Sequence, residues 1–135
     1  MKKDALPFIE ENLRHPHDAY FKSLFGRTST ARQFFRLYLP PEMVWELDLR
    51  TLELDKDSFV SERLREYFSD LVYRVRRKDG NAAFIHLLLE HKSTPDRWTA
   101  LQLLGYQFEL WERAKESGGP LPLIVPVVLY HGQRP

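Results

Sequence analysis

An Asp-Gly pair set between two apolar runs constrains this chain more than any other feature. From Ser69 to Ser93 it reads SDLVYRVRRKDGNAAFIHLLLEHKS, two extended runs flanking Lys78-Asp79-Gly80-Asn81. A tight hairpin turn needs positive φ, which Gly and Asp or Asn tolerate, so the stretch is predicted to be a hairpin over Asp70–Lys92. Closing it puts Asp70 opposite Leu89 or Glu90, according to a loop of two or three residues. The odd positions are Leu71, Tyr73 and Val75, then Ala83, Ile85, Leu87 and Leu89. They are apolar and should face a core. The even positions are Asp70, Val72, Arg74, Arg76 and Lys78, then Phe84, His86, Leu88, Glu90 and Lys92. They form a mixed face that carries the charge.

Upstream, Met1–His15 reads as a mobile, charged lead-in with an apolar spot at Leu6–Ile9. A helix opens at His15-Pro16-His17-Asp18, capped by His17 or Asp18, with Tyr20, Phe21, Leu24 and Phe25 on one face and Gly26 as its stop. Ser29 or Thr30 caps a second helix with Phe34, Phe35, Leu37 and Tyr38 on its apolar side. Pro40-Pro41 ends it and can begin another turn, with Val44, Trp45 and Leu47 facing inward. These aromatics read as core or interface. Leu47–Leu54 alternates as a short strand, Asp55–Ser58 is turn-like, and Phe59–Phe68 suits a short helix with Glu62 and Glu66 on one face.

Downstream, Thr94 or Asp96 caps the longest helix, Trp98–Lys115. Trp98, Leu101, Leu104, Gly105, Phe108 and Trp111 give it a wide apolar stripe, and Gln102 and Tyr106 share its flank. Ser117-Gly118-Gly119-Pro120 ends it. Leu121–His131 is nearly all apolar, as in a strand covered on both faces, with Pro126 where the strand is at an edge or unpaired. The order after Leu47 predicts an α/β fold: a mixed sheet with helices packed against it, and the N-terminal helices outside. The chain stops four residues after this strand, as a portion of a longer protein would.

The chain has 135 residues, enough for one domain with a core, and a formal net charge of +1. Bulk charge does not announce a nucleic-acid binder, so any such surface must be local. There is no cysteine, which excludes disulfides, zinc-thiolate sites and thiol catalysis and fits a cytoplasmic setting. No stretch suits a membrane span or a signal peptide. A nucleophile elbow and a phosphate loop are both missing, which argues against serine-triad and nucleotide hydrolysis.

Asp70, Glu90 and Lys92 converge at the open end of the hairpin. Two carboxylates beside an amine are what a divalent metal and a phosphodiester require. Burying both acids without a cation would force one to protonate, and a metal or Lys92 removes that conflict. Arg74, Arg76 and Lys78 lie along the charged face, and their bland reading is solvation of the hairpin tip.

The arrangement Asp70 … Glu90-His91-Lys92 resembles the PD-(D/E)XK nuclease superfamily, and Gln102-Leu-Leu-Gly-Tyr106 looks like the QxxxY element of its RecB-like branch. More closely, four segments resemble the Rpn family of recombination-promoting nucleases and transposase-like proteins of bacteria. They are His17-Asp18-Ala-Tyr-Phe21-Lys22, Phe68-Ser-Asp70-Leu-Val-Tyr73, Leu-Leu-Glu90-His-Lys92 and Pro126-Val-Val-Leu-Tyr130-His-Gly132. Ser69 stands where the superfamily name has proline. The resemblance implies a restriction-endonuclease-like nuclease domain over residues 1–135, with residues 1–46 as a helical extension and 47–135 as the core. It implies metal-dependent DNA cleavage linked to recombination or transposition. Mg²⁺ or Mn²⁺ would be held by Asp70, Glu90 and the His91 backbone carbonyl, with Glu62 or Glu66 as an upstream acid. Lys92 would act on the attacking water or the developing charge, supported by Gln102 and Tyr106. DNA is the implied partner, its backbone meeting Arg74, Arg76 and Lys78 without sequence readout, and cutting both strands of a duplex favours a homodimer. The competing readings are an inactive DNA-binding or protein-interaction module that keeps the fold, and an unrelated domain in which Glu90–Lys92 is a surface ion pair.

Overall fold

The computed structural model of the chain describes residues 16–55, 69–90 and 97–130. Three helices, α1 (Pro16–Phe25), α2 (Thr28–Tyr38) and α3 (Pro41–Glu46), lead into strand β1 (Leu47–Leu54). The hairpin strands β2 (Ser69–Arg77) and β3 (Ala82–Glu90) follow, then helix α4 (Arg97–Glu116) and strand β4 (Leu123–Tyr130). Among the described residues the strands form one sheet in the order β1-β2-β3-β4. The first two pairings are antiparallel, and β3 and β4 are parallel. A parallel pair needs a long crossover, and α4 lies within it. The result is a four-stranded mixed sheet flanked by helices, consistent with the restriction-endonuclease-like expectation.

The hairpin loop sits one residue earlier than expected. Gly80 has φ +88° and donates its N–H to the Arg77 carbonyl at 2.9 Å, while Arg77 N–H reaches the Asn81 carbonyl at 2.8 Å. The loop is therefore Lys78–Gly80, a three-residue turn with glycine in the left-handed position. Asn81 stays in the ladder, and its N–H is held by the Asp79 carboxylate at 2.9 Å. Asp70 consequently pairs with Leu88, not with Leu89 or Glu90. The parity of the faces is unchanged by this correction.

On the odd face Tyr73, Val75, Ala83, Ile85, Leu87 and Leu89 are buried as expected. Phe21 and Phe25 of α1, Ala31 and Phe35 of α2, and Leu47, Leu49 and Leu52 of β1 join them. The even face differs from expectation. Its middle is a second core, because Tyr106 and Leu110 of α4 pack with Val72 and Ile124, and His86 and Leu88 are buried beside them. Charge remains exposed at its turn end, at Arg74 and Arg76.

β1 is a strand with a large bulge. Its register passes from Asp48↔Arg76 to Glu53↔Arg74, five residues on β1 against two on β2. The Thr51 hydroxyl fills the gap, donating to the Asp48 carbonyl at 2.7 Å and accepting from Arg76 N–H at 2.9 Å. Three surplus residues reverse the side-chain parity. Leu47 and Leu49 before the bulge and Leu52 and Leu54 after it therefore reach the same core.

Several helix faces depart from the sequence reading. On α1, Phe21 and Phe25 are buried while Tyr20 and Leu24 are exposed; on α2, Phe35 is buried while Leu37 and Tyr38 are exposed. These helices dock by narrow i, i+4 stripes, and a neighbouring residue lies about 100° around the axis. α2 begins at Thr28 with Arg27 at its N-cap and no side-chain cap, so Ser29 and Thr30 are inside it. Trp45 faces outward rather than inward. On α4 the expected stripe is largely on the wrong side: Leu101, Leu104 and Phe108 are exposed. That helix is apolar over most of its circumference, so periodicity alone could not select the face. Gly26 ends α1 and Pro41 begins α3, both as read. β4 is an end strand of the described sheet, and Pro126 is exposed there, opposite His86. The lead-in Met1–His15, the Phe59–Phe68 helix and the Thr94–Asp96 cap lie outside the described residues, as do the side chains of His17 and Asp18.

Candidate active site

The hairpin register positions the two central carboxylate residues. Asp70 pairs with Leu88, and Glu90 lies two residues beyond Leu88 on β3. Positions 70, 88 and 90 therefore share one face, the face on which α4 packs. Diagonal neighbours of this kind have backbones about 7–8 Å apart. Glu90 also pairs with Tyr130, so it stands at the carboxyl end of the parallel β3–β4 pair. Open α/β sheets place their ligands at such ends. The description of Asp70, Glu90 and Gln102 stops at the backbone, and His91, Lys92, Glu62 and Glu66 lie outside the described residues.

α4 brings Tyr106 to the neighbouring row of the sheet. Tyr106 is 1% exposed, and its ring stacks on His86 with centroids 3.9 Å apart and planes 29° apart. His86, itself 4% exposed, pairs with Val72 across β2 and lies two residues before Leu88. α4 must run back against β3 to reach β4. Gln102, one turn earlier than Tyr106, is thus displaced about 6 Å along the axis toward the Glu90 end.

Sequence reasoning missed one acid on this face. Asp55, read as part of a turn, is 8% exposed and donates its N–H to the Val72 carbonyl at 2.8 Å. That bond extends the β1–β2 register by one step past Leu54↔Tyr73, opposite Val72. Asp55 is therefore a diagonal neighbour of Asp70. The bulge hid it, because parity counted from Leu47 assigns Asp55 to the other face. The available signal was the spacing of apolar residues, 47, 49, then 52 and 54, which steps by three once.

The basic residues gather elsewhere. Arg74, Arg76 and Lys78 sit at the turn end, and Arg76 is six residue steps along β2 from Asp70, about 20 Å. Arg74 pairs with Glu53 at 3.3 Å. Lys78 places its ammonium 3.6 Å from the Trp45 ring centroid. Arg74 and Arg76 line a recess of about 520 Å³ with Thr51, Glu53 and Gly80. The structure thus separates the carboxylate end of the hairpin from its cationic end.

Residues 15–135 match the family described as "Putative transposase, YhgA-like". The chain is 38% identical over 121 residues to recombination-promoting nuclease RpnD of Escherichia coli O157:H7, covering 88% of this chain and 46% of that protein. It is 37% identical over 119 residues to recombination-promoting nuclease RpnC of Escherichia coli K12, covering 87% of this chain and 39% of that protein. It is also 34% identical over 125 residues to a K12 protein named as an inactive nuclease-like relative, RpnE, covering 92% of this chain and 42% of that one. The chain spans less than half the length of these relatives. No solved structure matches it. The family match begins at the first helix, runs through both hairpin strands and the crossover helix, and continues past β4, so the chain belongs to the family described as "Putative transposase, YhgA-like".

Proposed function

We propose that this chain carries the cleavage site of a metal-dependent DNA endonuclease acting in recombination. The observation that carries the reading is the register of β2 and β3, which sets Asp70 and Glu90 on one face at the open end of the hairpin. Lys92 follows Glu90 by two residues, the spacing of the ExK motif. The names of the relatives, recombination-promoting nucleases, support the same chemistry. Among the described residues no helix is long and apolar enough to cross a membrane.

The donor set suits a hard cation. Asp70 and Glu90 offer carboxylate oxygens, the His91 carbonyl offers a third oxygen, and Mg²⁺ or Mn²⁺ prefers such sites with waters and a phosphate completing the shell. When bound, the cation supplies a more acidic water and charge compensation at phosphorus. Asp55 adds a buried carboxylate one diagonal away from Asp70. Glu62 or Glu66 remains the upstream acid of the sequence reading. Lys92 donates to the phosphoryl oxygen or the attacking water, stabilising charge as it develops. Gln102 and Tyr106 position Lys92 and the phosphate, and the stack of Tyr106 on His86 holds that helix face in place. Arg74, Arg76 and Lys78 meet the DNA backbone without reading sequence. A homodimer would cut both strands of a duplex.

A second reading, a non-catalytic module with the same fold, is favoured by one finding: some relatives are named inactive. Plasmid nicking decides between them. Supercoiled plasmid is incubated with the chain in Mg²⁺, Mn²⁺ or EDTA, alongside Asp70→Ala and Lys92→Ala. Metal-dependent cutting lost in both variants supports the nuclease. A folded wild type that cuts nothing, or variants that cut as well as it does, supports the module instead.

A further inference from the structure

A crevice between α2, α3, β1 and the turn of the β2–β3 hairpin lies outside the carboxylate site. It has a volume of about 770 Å³, and Arg36, Asp48, Arg50, Arg76, Arg77 and Lys78 line it. Five cations thus share a concave surface with one carboxylate. Arg50 is held by Asp48, at 3.0 Å, and Arg77 by Glu46. Among the described residues Arg36, Arg76 and Lys78 form no salt bridge, and Lys78 acts on the Asp48 carboxylate only as the weakest of the cationic influences there. The whole chain has a formal net charge of +1, so this excess is a local concentration. Cations gathered without counter-charges repel one another, and an extended polyanion relieves that repulsion along its length.

Trp45 supplies the second observation. Trp45 is 74% exposed, where the sequence reading faces it inward. The Lys78 ammonium stands over its ring, which ties the indole to the cationic rim. With that ammonium on one side, the exposed remainder of the ring is open to a second planar partner. Phosphate-binding cations next to an open aromatic surface form the combination that single strands use, because every base has a π-face and every linkage a charge. A duplex keeps its bases stacked inside and cannot offer one to Trp45.

We propose that this crevice binds single-stranded nucleic acid, with phosphates on Arg36, Arg76 and Lys78 and a base stacked on Trp45. Its link to cleavage rests on the nuclease reading above. On that reading the substrate is a strand, or a duplex with a single-stranded segment, gripped about 20 Å from Asp70.

Binding is measured on the full chain in EDTA, so that nothing is cut. The probes are labelled oligothymidylate and oligouridylate of about 12 nucleotides, within the span of one such surface, and a blunt duplex of equal length. The wild type should bind a single strand more tightly than the duplex and quench tryptophan fluorescence. Preference for one oligonucleotide identifies DNA or RNA as the ligand within the proposal. Trp45→Ala should weaken single-strand binding about tenfold and leave its salt dependence unchanged. Arg36→Ala with Arg76→Ala should lower the slope of log K against log salt by about 1.4, at about 0.7 per phosphate. Circular dichroism verifies that both variants fold, as their exposed side chains lead one to expect. No single-strand binding, or equal duplex binding that is indifferent to Trp45→Ala, overturns the proposal. Asp70→Ala separates the two ideas. It should bind strands normally while losing Mg²⁺-dependent cleavage. Cleavage of single strands that is unaffected by the crevice variants refutes the crevice's link to cleavage and leaves the carboxylate reading standing.

Discussion

Tyr73→Phe isolates the contact by which α1 is fastened to the sheet. Tyr73 is wholly buried, and its hydroxyl donates to the Phe25 carbonyl at 2.5 Å, at the last residue of α1. Its ring also meets Phe35 edge-on, with centroids 5.3 Å apart. Phenylalanine keeps the ring contact and removes only the donor. The Phe25 carbonyl then loses its partner away from water, which costs about 1–3 kcal/mol. For a chain of this size that is a fall in melting temperature of roughly 3–10 °C. Urea unfolding followed by tryptophan fluorescence reads the change as a lower midpoint with an unaltered slope.

A second arm of the same experiment uses pH. Burial raises the Tyr73 phenol above its ordinary value of 10.0. The folded chain therefore keeps this proton where the unfolded chain releases it. Above about pH 10 the unfolded state binds fewer protons, so stability falls as pH rises. The contribution is fully present below the unfolded value and is lost as pH climbs toward the folded one. Tyr73→Phe lacks this group, and the remaining tyrosines are common to both proteins. The stability gap between wild type and variant should thus narrow above about pH 10. A variant within about 0.5 kcal/mol of wild type at neutral pH, with a gap that does not change in alkali, would refute the reasoning.

Two further outcomes follow from packing. A Cβ built on Gly26 would meet the Lys22 backbone carbonyl oxygen at 2.5 Å, so Gly26→Ala must displace the end of α1 and should cost about 1–3 kcal/mol by urea titration. His86→Ala would remove the ring on which Tyr106 stacks and leave a void beneath α4. It should destabilise by about 2–4 kcal/mol and increase amide exchange in α4 more than in β1.

Much of the fold was legible because its signals are local. Asp79-Gly80 announced the hairpin, the odd positions of its strands announced the main core, and Gly26 and Pro41 marked helix boundaries through steric rules that operate within one turn of chain. The ExK phrase was likewise visible without any fold, as a spacing of two residues between Glu90 and Lys92. The tertiary structure decided what depends on a partner element. α4 could have turned any of several apolar faces inward, and the sheet selected Tyr106 and Leu110 over Leu104 and Phe108 by what packs on Val72 and Ile124. The same helix turned the middle of an apparently charged strand face into a second core around His86. The β1 bulge, stabilised by the Thr51 hydroxyl, reversed the parity that would have excluded Asp55 and brought that acid beside Asp70. Trp45 came to lie in solvent under the Lys78 ammonium because α3 is six residues long and buries little. Spacing along a chain fixes which residues can share a face; only the surface packed against that face determines which side is dry, and so where an acid, a stack or an open indole is left to act.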